Sequence, residues 1–112
     1  MLAKKFRLPI QNFIGKGGKV TKTPFFLIKV FKSEFPHSRF GIIISKKAVS
    51  RAAARNQLKR MIFSALREFL FPGEPQDFII IVSPKISQLK KEEIAASLKT
   101  ALNKSYVSNH SF

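Results

Sequence analysis

Residues 45–67 read SKKAVSRAAARNQLKRMIFSALR, and everything else in the chain is best understood from how that stretch is displayed. Seven basic residues, Lys46, Lys47, Arg51, Arg55, Lys59, Arg60 and Arg67, fall within it, with no acid among them. Turned at about 100° per residue, Ala54, Leu58, Met61, Ile62, Ala65 and Phe69 collect on one side of a helix. Arg55, Asn56, Lys59, Arg60 and Arg67 fall on a broad neighbouring arc. The periodicity predicts a helix over residues 50–71, ended by Pro72 and Gly73. One face is built for burial and the other to meet something anionic.

The flanking segments are strand-like. Residues 24–32 (PFFLIKVFK) are rich in aromatic and β-branched side chains, with Phe25, Leu27 and Phe31 on one face and Phe26, Ile28 and Val30 on the other. Both faces are apolar, so both need cover unless one is left as a groove. Residues 39–45 (RFGIIIS) form a second expected strand, antiparallel to the first across the turn containing Pro36. Residues 77–83 (DFIIIVS) read as a buried third strand, so that strand, helix and strand in series make a crossover between parallel neighbours. Residues 84–88 are expected as a loop. A last helix over residues 89–105 buries Leu89, Ile94, Leu98, Ala101 and Leu102, with Glu92 and Glu93 at its start and Lys99 and Lys104 toward its end, the order the helix dipole favours.

Before the first strand, residues 8–14 suit a short helix with Pro9 in its first turn. The following GKGGKVTKT is expected to be a flexible loop, either solvated or touching phosphates through Lys16, Lys19 and Lys22; it lacks the closing Gly-Lys-Ser/Thr of a nucleotide-binding loop. The whole is one α/β domain over residues 1–112, with a sheet of three to four strands and frayed ends at about 1–6 and 106–112.

Charge narrows the partner. The chain holds 21 basic and 6 acidic residues, net +15. Residues 1–60 contain 15 of the basic residues and a single acid, Glu34. Such an excess repels itself unless a polyanion answers it, which favours nucleic acid over an anionic membrane surface. No apolar run approaches the length of a membrane span, and the N-terminal residues lack the apolar core of a secretion signal. With no cysteine there are neither disulfides nor thiolate zinc sites. A cytoplasmic protein is the simple expectation.

Catalytic groups are scarce. His37 and His110 are the only histidines, one in a turn and one in the tail, and neither belongs to a Ser–His–Asp or metal-ligand spacing. Glu92 and Glu93 are consecutive on a helix and point about 100° apart, unlike a two-metal clamp. Asp77 opens a strand, where capping or ion pairing explains it. The expectation is no catalytic residue and no metal ligand in this chain.

Against that background, Lys46-Lys47, a spacer containing Val49, Arg51 and Ala52, and then Arg55-Asn56-Gln57-Leu58-Lys59-Arg60 resemble the RNA-binding motif of the bacterial ribonuclease P protein subunit. FGIIIS before the motif, DFIIIVSPKISQL after it, the FFLI strand and the N-terminal segment with Phe13 follow the family in the same order, over roughly residues 6–104. The resemblance implies an α/β sandwich whose motif helix lies in a left-handed crossover, where general handedness rules favour a right-handed one. It implies a protein that binds a catalytic RNA and the single-stranded 5′ leader of precursor tRNA. The Mg²⁺ ions would be held by the RNA, with none bound by the protein alone, and the protein would act as a monomer in the holoenzyme. By position, Lys46, Lys47, Arg51, Arg55, Asn56, Lys59 and Arg60 would contact the catalytic RNA, with Arg67 continuing the basic face. Phe13, Phe26, Ile28 and Phe31 are the candidates for the leader cleft, core packing being the alternative for each phenylalanine. A ribosomal-type general RNA-binding module is the competing reading of the same composition.

The chain departs from the family pattern at several places. Ile28 falls about where many members have tyrosine, Gln57 where arginine is common, Phe63-Ser64 where Arg-Glu is usual, and Ser83 where a basic residue is frequent. For Phe63, packing under the N-terminal segment is favoured over stacking on a base.

Overall fold

The three apolar segments do pair, but not in the order in which the chain makes them. The computed structural model describes residues 7–10, 18–67 and 75–110, with side chains to Lys104. Its elements are β1 (Lys19–Lys22), β2 (Phe26–Lys32), β3 (Arg39–Ile43), α1 (Ala52–Leu66), β4 (Gln76–Val82), a 3₁₀ helix (Pro84–Gln88) and α2 (Lys91–His110). Among the described residues the strands form one sheet in the order β1-β2-β4-β3. β4 runs antiparallel to β2 and parallel to β3. The crossover expected from strand, helix and strand is therefore present, with α1 as its connection.

The expected pairing of β2 with β3 is not formed, because β4 lies between them. QDFIIIV is buried at six of its seven positions, which suits the centre of a sheet and excludes an edge. Residues 33–38 consequently span two inter-strand spacings, about 10 Å, instead of closing a hairpin. The Ser33 hydroxyl stiffens that connection, donating to the His37 carbonyl at 3.2 Å and accepting from the Phe35 amide at 3.1 Å.

Two segments expected as loops are regular. Lys19–Lys22 pairs with β2 from Lys19↔Val30 to Lys22↔Leu27, so this part of the glycine-rich stretch is an edge strand. Its lysines fit an edge, where charge deters pairing with other chains. Residues 84–88 form the 3₁₀ helix, which opens with Pro84 and is capped by the Ser83 hydroxyl accepting from the Lys85 amide at 3.2 Å. α2 begins at Lys91, where the Glu93 carboxylate accepts from the Lys90 amide at 2.9 Å, and continues to His110, beyond the expected end at residue 105. Of the helix expected over residues 8–14, Leu8 and Pro9 are not helical; Arg7 bridges to Phe40 in parallel, and the Leu8 amide donates to the Phe40 carbonyl at 2.8 Å. Residues 11–14 lie outside the described residues.

Both helices pack on one face of the sheet. Phe26, Ile28 and Val30 of β2, Phe40 and Ile42 of β3, and Phe78, Ile80 and Val82 of β4 form that face's core layer. Leu58, Ile62, Phe63 and Leu66 come down on it from α1, and Ile94, Leu98, Ala101 and Leu102 from α2. Phe40 and Phe78, register partners, stack with ring centroids 5.2 Å apart and planes 9° from parallel. The buried arc of α1 is turned from the expected one: Leu66 and Phe63 are buried, whereas Met61 and Ala65 are only partly covered.

The opposite face is organised in rows set by the register. Phe31, Asp77 and Arg39 make one row, Val20, Lys29, Ile79 and Gly41 the next, and Lys22, Leu27, Ile81 and Ile43 the third. In the first row Arg39 grips the buried Asp77 carboxylate in a fork, at 3.1 and 2.9 Å, and lies 4.2 Å over the Phe35 ring. In the second, a Cβ on Gly41 would lie 2.6 Å from Ile10 Cγ1. Glycine at that position lets the N-terminal segment lie directly against β3.

Candidate nucleic-acid interface

The basic stretch is built as a turn welded to a helix. After β3, the Ser45 carbonyl accepts from the amides of Ala48 and Val49 at 3.1 and 3.0 Å, and its hydroxyl accepts from Ala48 at 3.1 Å. This tight turn leaves Lys46 and Lys47 exposed at its tip. Arg55, one turn into α1, reaches back and donates from Nη1 to the carbonyls of Val49 and Ser50, each at 2.9 Å. Arg55, expected at the RNA contact, thus also engages the backbone that carries the lysines, and the residue is half-buried. No feature of the sequence marks that task, because a basic residue at this spacing reads the same whether it faces outward or back.

The remaining basic positions are exposed: Lys46, Lys47, Arg51, Lys59, Arg60 and Arg67, with Asn56 beside them. Asn56, Arg60 and Arg67 follow one side of α1, while Lys59 lies toward the N-terminal segment, lining a small cavity with Arg7, Leu8 and Phe63. Among the described residues no side chain caps the α1 N-terminus at Arg51, and its first turn contains no acid. Guanidinium forks, ammonium point charges and the positive end of a helix dipole all favour phosphate.

The leader candidates fall differently. Phe13 lies outside the described residues. Phe26 and Ile28 are each 0% exposed, in the core layer under the helices, and offer no surface for a nucleotide. The reason is the strand's parity: even-numbered residues of β2 face α1 and α2, and odd-numbered ones face away. Phe31 is on the outward face and half-buried, with Gly18 against it; a Cβ on Gly18 would lie 2.8 Å from the ring. What the outward face does present is Leu27, Lys29 and Ile81, half-covered, with Ile43 at 36% and Val20 at 54% exposure, and Lys22 exposed on the β1 edge. The sequence separates the two faces of β2 but does not say which one the helices cover, so candidates placed by family position (Ile28) and aromatic character (Phe26, Phe31) fall on both.

Phe63 is 8% exposed and packs in the core, sharing a cavity lining with Leu8, Ile10 and Phe40, so it is not an aromatic platform. Gln57 is exposed on α1. Asp77 is an ion-paired strand residue, and His37 stands 5.9 Å from the Phe35 ring, both parts of one structural knot with Arg39. Among the described residues no group of three or more histidine or acidic side chains is placed to hold a metal ion. No helix among them is long and apolar enough to cross a membrane.

Comparison with known proteins gives one answer. A family model described as Ribonuclease P matches residues 7–106. The chain is 36% identical over 93 residues to the ribonuclease P protein component of Lactobacillus helveticus, a match covering 82% of this chain and 76% of that one. It is 29% identical over 111 residues to that of Geobacillus kaustophilus, covering 93% and 89%. Among solved structures, the RNase P protein of Staphylococcus aureus superposes with a TM-score of 0.80 at 25% identity, covering 89% of this chain and 94% of that one. That of Thermotoga maritima superposes with 0.74 at 25% identity, covering 88% and 96%.

Proposed function

The chain belongs to the ribonuclease P protein family, and on that premise we propose that it serves as the protein subunit of a cytoplasmic ribonuclease P, docking on the catalytic RNA and helping it remove the 5′ leader of precursor tRNA. The observation that carries this reading is the acid-free face on which Lys46, Lys47, Arg51, Asn56, Lys59, Arg60 and Arg67 are all exposed at the turn and along α1. Each phosphate neutralised there releases condensed counterions, so binding to the RNA should weaken steeply with salt. The protein's part is electrostatic and positional, and the Mg²⁺ chemistry belongs to the RNA.

The leader belongs on the outward face of the sheet. Leu27, Ile43 and Ile81 offer half-exposed apolar surface for bases, and Lys22 and Lys29 offer charge for the strand's backbone. Single strands bind such mixed grooves without needing a particular sequence. This assignment replaces Phe26 and Ile28 by their outward neighbours.

The test is reconstitution. Added to its cognate ribonuclease P RNA, the protein should stimulate precursor-tRNA cleavage at low Mg²⁺ well above the RNA alone. A holoenzyme mixture no faster than the RNA would overturn the proposal.

A further inference from the structure

A groove of about 700 Å³ runs between the turn before α1, the outer flank of α1 and the start of α2. Val49, Met61, Ile86 and Leu89 give it an apolar floor. Arg51, Arg60 and Lys91 stand at its lining, and no acidic residue does. Glu93, nearby in the first turn of α2, is turned back onto the Lys90 amide. The groove exists because the apolar arc of α1 is wider than the arc the core uses: Leu58, Ile62, Phe63 and Leu66 are buried, which leaves Ala54 and Met61 to line it.

We infer that this groove takes an unstacked nucleotide of the catalytic RNA, its base on the apolar floor and its phosphates against Arg51, Arg60 and Lys91. The inference rests on the proposed function and adds a second kind of contact to it. Phosphates alone explain the cations but not a concave apolar floor beside them. A duplex likewise leaves the floor unexplained, since its bases are stacked inside and its deep groove admits no side chains, whereas bases in loops and bulges can be splayed out. The volume is within the range of ligand sites and exceeds a single base. Met61, unbranched and polarisable, can follow a flat ring of either size. Gln57, also on the lining, offers an amide donor and acceptor to a base edge. An uncapped α1 N-terminus at Arg51 adds amides for the adjoining phosphate.

The chain has only two methionines, Met1 and Met61, so methyl labelling of methionine gives one reporter inside the groove. The Met61 methyl resonance should shift when the protein binds catalytic RNA. It should also shift with a short single-stranded oligoribonucleotide, and not with a blunt duplex of the same composition. Leu89→Trp, which fills the groove, should weaken catalytic-RNA binding about tenfold with the salt dependence unchanged, as expected for loss of one base contact. Gln57→Glu, an exposed change that leaves the core alone, should weaken binding and suppress the Met61 shift, which covers the case in which Leu89→Trp does not fold. RNA binding at full affinity with Met61 unmoved, or with both variants binding like the parent, would overturn the groove and leave the basic face standing. A parent protein that fails to bind the catalytic RNA at all would overturn the functional reading and this inference with it.

Discussion

The two faces of the sheet are made of similar residues and have different fates. On the helix side Phe26, Ile28, Val30, Phe78, Ile80 and Val82 are sealed under α1 and α2. On the other side Leu27, Ile81, Ile43 and Val20 remain partly or largely accessible, interrupted by Lys22 and Lys29. Apolar character alone does not tell the two apart. The distinction is the lysines: an apolar row that is to be sealed excludes an ammonium group, because burying one unpaired is expensive. Lys29, flanked by Leu27 and Phe31, marks the face left open.

That contrast can be broken from either side. Phe26→Ala should be the most damaging single change, costing about 3–5 kcal/mol of folding stability by leaving a cavity in the core. Denaturant unfolding would measure it, and cleavage should fall equally for substrates with and without a leader. A selective loss with leader-bearing substrates would mean that Phe26 reaches the nucleic acid after all. Next is Arg39→Ala, which strands the buried Asp77 carboxylate on the open face and should cost about 2–3 kcal/mol. Restoring an uncharged partnerless site with Asp77→Asn in the same protein should recover part of that loss in the same unfolding experiment.

Smaller effects should separate function from folding. Ile43→Asp, on the accessible face, should change stability by less than about 1 kcal/mol. It should nevertheless weaken binding of precursor tRNA about tenfold through lost base packing and added negative charge, leaving mature tRNA unaffected. Equal weakening for both RNAs would remove the leader from this face. Smallest in stability is Arg60→Ala, which touches neither face of the sheet and should alter unfolding by less than about 0.5 kcal/mol. Its effect lies in the salt dependence of catalytic-RNA binding, whose logarithmic slope should drop by about 1. Arg55→Ala should differ from it by also releasing the turn bearing Lys46 and Lys47, seen as faster amide exchange at Ala48 and Val49.

The crossover, the basic helix and the central burial of DFIIIVS were legible in the sequence because each rests on local periodicity or unbroken apolarity. The β2–β3 pairing was misread because proximity in the chain favours a hairpin, and nothing local says that a later strand will be inserted between them. β1 was missed because Lys19, Val20, Thr21 and Lys22 are strand-compatible only once β2 offers them an edge. Within the basic stretch, charge and exposure were legible; the inward turn of Arg55 was not, since its partners are backbone carbonyls and carry no side-chain signature. The core assignment of Phe63 followed from its place beside the N-terminal segment.

The position of β4 also sets an order of events in time. β2 and β3 touch each other only through a strand that is synthesised after the whole of α1, from Phe26↔Val82 at one end of the pairing to Arg39↔Asp77 on the other side. Beyond the local β1–β2 pairing, the Ser45 turn and α1 itself, the sheet does not close until that strand arrives, and such long-range pairing makes for slow folding. A nascent chain that has already exposed its seven cations must therefore hold them on an unclosed loop, beside cellular RNA, until residues 76–82 leave the ribosome. The most polyanion-attracting segment of the protein is thus displayed before the sheet that anchors it is complete.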